Sequence, residues 1–119
     1  MGRSHTRSFV FFNAINSSKL PIDDDDVSFI FEDLYLGRSV VPPHNVPSRP
    51  QLIRWDASKP LSLENCVLFD FSEAEKHARE CLGLERRGPS DVWGGEVQGI
   101  VDKNAVEVSQ YRRWVGLHP

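Results

Sequence analysis

The chain has 119 residues, 39% of them hydrophobic and 26% charged, with a formal net charge of −3. That length suits one domain with one core, the composition excludes a disordered chain, and the acidic balance argues against nucleic-acid binding, which shows as a basic surplus or stripe. Two cysteines exclude a disulfide framework, and no apolar run approaches the roughly twenty residues of a membrane span.

Residues 1–7 read as a loose, basic terminus. The apolar run Phe9 to Phe12 is too short for a signal-peptide core, so the expected location is the cytoplasm. Ser8 to Ala14 reads as a first strand, closed by a turn at Asn16, Ser17 and Ser18.

Asp23, Asp24, Asp25 and Asp26 precede Val27, Ile30, Phe31, Leu34 and Tyr35, the i, i+3, i+4, i+7, i+8 spacing of a core-facing helix stripe. An acidic start and Gly37 after the stripe predict a helix from about Asp25 to Leu36. Val27, Phe29 and Phe31 also alternate, which leaves an edge strand as the competing reading. The aspartates lack the spaced ligands and closing Glu of a calcium loop. They suit a solvated helix start or a basic partner.

Val40 to Pro50 holds four prolines in eleven residues, which predicts an extended connection wrapped on its own domain, with His44 exposed. Gln51 to Asp56 alternates as a strand, and Leu61 to Phe71 reads as a second strand, its hairpin partner. Ser72 and Glu75 have capping-box spacing. Ala74, Ala78, Cys81 and Leu82 share a face, and Gly83 is a C′ residue suited to positive φ. These features predict a helix over residues 73–82.

His77 and Cys81 are four apart on that helix. A structural zinc site needs four ligands, and with Cys66 the count stops at three. An activated thiol belongs at a helix N-terminus, whereas Cys81 lies at the C-terminal end. Both cysteines are therefore read as small buried hydrophobes, with His77 on the helix flank.

Leu84 to Gly95 reads as a loop. Trp93 in it is either an exposed interface aromatic or a core plug. Glu96 to Asp102 reads as a strand with Gly99 as a bulge. For residues 105–115 two readings stand. Asn104 with Glu107 resembles a capping box, followed by a helical stripe through Ala105, Val108, Tyr111, Arg112 and Val115. Three valines in the segment tilt the choice to the second arm of a hairpin.

The elements predict a small α+β fold over residues 1–119 as a single domain, a mostly antiparallel sheet with two helices packed on one face. No catalytic residue, cofactor or metal is expected. By elimination the sequence suggests a protein-binding inhibitor, foremost an immunity-type protein that blocks the active site of a toxin domain. Its partner is another protein, a basic one, met by Asp23, Asp24, Asp25 and Asp26. Trp93, Tyr111, Arg112 and Trp114 would anchor the contact. The alternatives are a phage-encoded inhibitor of a host defence protein, a small enzyme using Cys66, Cys81 or His77, and a nucleic-acid module built on Tyr111 to Trp114.

Overall fold

The hairpin is the centre of the structure. In this computed structural model, which describes residues 23–117, β1 (Pro50–Arg54) pairs antiparallel with β2 (Cys66–Asp70), with Leu52 opposite Leu68 and Ile53 opposite Val67. Leu52, Ile53, Val67, Leu68 and Phe69 are all fully buried. A run with no polar alternation is what a strand covered on both faces requires. The hairpin pairing expected from the sequence is present. The sheet has only these two strands among the described residues.

The long connection between the strands is held by one side chain. Asn65, 5% exposed at the end of a short 3₁₀ turn (Leu63–Asn65), accepts from the Asp56 N–H at 2.8 Å through Oδ1. Its Nδ2 lies 3.0 Å from the Asp56 carbonyl, 3.2 Å from that of Lys59 and 3.0 Å from that of Pro60. Backbone groups turned toward the interior must be satisfied, and here a buried amide side chain substitutes for the missing ladder.

Helix α1 (Asp24–Ser28) runs on as a π-helical segment, Phe29–Leu34, so the predicted helix exists. Asp23 is its N-cap in a capping box with Asp26. Gly37 ends it at φ 71°, donating to the Phe31 carbonyl at 2.8 Å. The proline-rich segment contains a cis Pro42–Pro43 bond. It does wrap the domain: Val40, 1% exposed, donates to the Leu68 carbonyl at 3.0 Å. His44 is half-buried rather than exposed, its Nδ1 3.0 Å from the Ser39 carbonyl.

Helix α2 (Phe71–His77) leads into a second π-helical segment, Ala78–Leu82. Its capping box is Asp70 with Glu73, two residues earlier than Ser72 with Glu75. The shift has a cause, since the Asp70 carboxylate also accepts the Arg49 N–H at 3.2 Å and so joins the helix start to the entry of β1. Gly83 sits at φ −89°, not in the left-handed region. It is glycine for space: a Cβ there would meet the Arg79 carbonyl oxygen at 3.1 Å.

The C-terminal third departs most from the sequence expectation. The expected loop contains helix α3 (Pro89–Trp93), and both expected strands are replaced by one helix, α4 (Gly95–Leu117). Gly94 joins the two at φ 101°. Pro89 opens α3 at the first turn, where its missing N–H costs nothing. Valine's preference for strand over helix is worth at most about 1 kcal/mol per residue. Burying a valine contributes about 1.5–3 kcal/mol, and Val97, Val101 and Val108 are all buried along one helical stripe. Burial outweighs propensity, and Val106, which a strand would align with Val108, is 59% exposed. Gly99 is a helix residue, not a bulge. The predicted strand Ser8–Ala14, the turn at Asn16–Ser18 and the loose terminus lie outside the described residues. No helix among the described residues is long and apolar enough to cross a membrane.

Candidate functional site

Two constellations bring the notable side chains together. The first is internal. His77 is fully buried, not on the helix flank. Its Nε2 lies 3.0 Å from the Arg54 carbonyl and 2.9 Å from the Trp55 carbonyl, while Trp93 Nε1–H donates to its Nδ1 at 2.9 Å. Two acceptors on one side and a donor on the other define the tautomer: the proton is on Nε2. Trp55 stacks on the imidazole with ring centroids 5.3 Å apart, and Phe69 and Trp93 tilt against it at 5.1 and 6.3 Å. Burial lowers the His77 pKa below its ordinary value, against the two carbonyls, which raise it.

Trp93 is therefore a core plug whose indole N–H is committed inward. Cys66 and Cys81 are free and buried, as expected from the sequence. Burial pushes both thiols up, Cys81 to about 11 with the Glu80 charge adding to the effect. Among the described residues no group of three or more His, Cys, Asp and Glu is placed to hold a metal ion.

The second constellation is a cleft of about 650 Å³ between α1 with its π-helical extension and the C-terminal end of α4. Asp23, Asp25, Asp26, Glu32 and Asp33 line it together with Phe29, Tyr111, Trp114 and Val115. Tyr111 ties the lining of the two elements together. Its ring stacks on Phe29 with centroids 3.9 Å apart and planes 11° from parallel, and its hydroxyl donates to Asp26 Oδ1 at 3.0 Å. Burial raises its phenol pKa to about 12, and the hydrogen bond to Asp26 and the charges of Asp26, Asp23 and Asp25 add to the rise.

Five of the expected partner-binding residues, Asp23, Asp25, Asp26, Tyr111 and Trp114, thus meet at one cleft. Trp114 is 57% exposed on its wall. Three do not join them. Asp24 is an exposed first-turn residue of α1 outside the lining. Arg112 lies away from the cleft and pairs with Glu64 at 3.0 Å. Trp93 belongs to the His77 cluster. The sequence reading missed the Phe29–Tyr111 stack and the role of Asn65. The helical stripe through Val108 and Tyr111 was the signal for the first. A single Asn beside a strand carries no signal for the second.

Comparison with known proteins adds what geometry cannot. Over 100 residues the chain is 30% identical to tRNA threonylcarbamoyladenosine dehydratase 2 of Saccharomyces cerevisiae, covering 84% of this chain and 22% of that protein. It is 28% identical over 87 residues to tRNA threonylcarbamoyladenosine dehydratase 1 of the same yeast, covering 73% of this chain and 20% of that one. The chain spans about a fifth of the length of these curated relatives. No family model matches the chain, and no solved structure does. The similarity is to two tRNA threonylcarbamoyladenosine dehydratases. It overturns the expectation of an immunity-type protein that neutralises a toxin domain, and with it the phage-inhibitor alternative. Size and net acidity describe a surface, not a task, and elimination from them had no means of reaching tRNA chemistry.

Proposed function

We propose that this chain serves tRNA modification, as the counterpart of a portion of a threonylcarbamoyladenosine dehydratase, and that it contributes binding and positioning rather than the reaction itself. The observation that carries the reading is the 30% identity sustained over 100 residues of a 119-residue chain. The geometry agrees with a non-catalytic part. Both nitrogens of His77 are consumed by internal hydrogen bonds, and the two thiols are buried with raised pKa values. A nucleophile or general base needs an accessible, poised group.

In this reading residues 1–119 act as one domain, in which the two helices expected from the sequence, α1 with its π-helical extension and α2, pack on one face of the hairpin as its scaffold. The free, buried cysteines accord with work in the reducing cytoplasm. The expected contact with a basic polypeptide is carried by the cleft, whose five carboxylates and aromatic lining residues suit a cationic segment with apolar residues. The same carboxylates disfavour RNA phosphate at this surface, so the nucleic acid would be held by other parts of the assembly.

The test is to delete the coding sequence for this chain from its native cell and analyse tRNA nucleosides by mass spectrometry. Accumulation of threonylcarbamoyladenosine at the expense of its dehydrated product is expected. An unchanged ratio of the two nucleosides would remove the basis of the proposal.

A further inference from the structure

Among the described residues, the charged side chains that line the cleft are all acidic. Five carboxylates line it, and no Lys or Arg stands among its described lining residues. Such a surface is stabilised by a cationic occupant. Phe29 and Tyr111, stacked on each other, are among its lining residues and offer apolar area to a non-polar side chain. An occupant therefore needs positive charges next to apolar residues, with no acidic ones.

Residues 1–22 of this chain have that composition. They carry Arg3, Arg7 and Lys19, the apolar run Phe9, Val10, Phe11 and Phe12, and no Asp or Glu. They join the described structure at Asp23, which itself lines the cleft. A 22-residue segment reaches up to about 70 Å when extended, far more than is needed to cross the cleft. Attachment at its rim gives an effective concentration on the order of millimolar, which a separate basic peptide rarely matches.

We infer that residues 1–22 dock into the acidic–aromatic cleft of the same chain, their basic side chains against Asp25 and Asp33 and their apolar run against the ring stack. The inference rests on the cleft being a receptor for a basic segment, and it names the segment. It makes the contact internal, where the sequence alone suggested a second protein.

The experiment uses the full chain with Val115→p-benzoylphenylalanine, a photoreactive group on the cleft wall, and maps cross-links by mass spectrometry. Mixing isotopically light and heavy chains separates internal from intermolecular links. Cross-links within one chain to residues 1–22 are expected. In the Asp25→Lys/Asp33→Lys variant they should fall about tenfold, the effect of roughly 1.4 kcal/mol of lost attraction. Adding Arg3→Asp and Arg7→Asp should restore them. Links mainly between chains, links to another protein's basic segment, or yields indifferent to the charge reversal would overturn the inference. The second of those outcomes would leave the cleft's role as a receptor standing, and absence of any cross-link would remove both. Circular dichroism on each variant checks that the helices persist.

Discussion

Replacing His77 by phenylalanine isolates the polar work of one buried ring. The substitution keeps an aromatic ring between Trp55 and Phe69 but removes both nitrogens. The Trp93 indole N–H then has no acceptor, and the carbonyls of Arg54 and Trp55 lose their shared donor. Each orphaned buried group costs about 1–3 kcal/mol, so the variant should lose about 3 kcal/mol, a large share of a typical 5–15 kcal/mol. Urea unfolding followed by fluorescence measures it. Trp93→Phe in the same background removes the stranded donor, so the double variant should be less damaged than the sum of the singles by about 1 kcal/mol. The pH dependence has a definite sign. The folded His77 pKa is lowered, so the unfolded chain binds more protons as pH falls below about 6.5, and stability from the neutral ring is lost in acid. The stability gap between wild type and His77→Phe should therefore shrink from pH 7 to pH 5, by at most about 1.4 kcal/mol per pH unit. A variant as stable as wild type at pH 7, or a gap that widens in acid, would exclude this polar role for the ring.

Three further outcomes follow from the same contacts. Asn65→Ala should cost about 2–4 kcal/mol, because it strips the loop after β1 of several hydrogen bonds at once; thermal unfolding measures this, and a loss below about 0.5 kcal/mol would contradict the role assigned to that side chain. Asp70→Ala should cost about 1–2 kcal/mol through the α2 cap and the Arg49 N–H, with lowered amide-exchange protection in the first turn of α2 as its local signature. Tyr111→Phe keeps the stack on Phe29 and removes the bond to Asp26, for a loss of about 1 kcal/mol. Ultraviolet titration of the native protein should show a phenol ionising near 12 that this variant lacks.

The sequence was most legible where two local signals agreed. The hairpin showed as an apolar run and an alternating one, and the first helix as a stripe closed by Gly37. Even there, the capping box of α2 was displaced by a tertiary bond from Arg49 that no local spacing encodes. Residues 96–102 were misread as a strand, and over 105–115 local propensity tilted the choice to strand although the helical stripe was also legible; the deciding term was burial of Val97, Val101 and Val108 against distant residues. The acidic run and Tyr111 were singled out separately. Their meeting at one cleft joins residues 85 apart in sequence through the Tyr111–Asp26 bond, and only the fold shows it. The link to tRNA lies in no motif at all. It is carried by similarity spread over most of the chain.

A domain exchange asks whether this chain can serve in tRNA modification. In tRNA threonylcarbamoyladenosine dehydratase 2 of Saccharomyces cerevisiae, the 100-residue matching region is replaced by this chain, and tRNA nucleosides from cells lacking the native copy are measured by mass spectrometry. Dehydrated threonylcarbamoyladenosine is expected to persist, including when the grafted chain carries Cys81→Ala. Its loss in a chimera that is folded and present at native abundance would contradict the account.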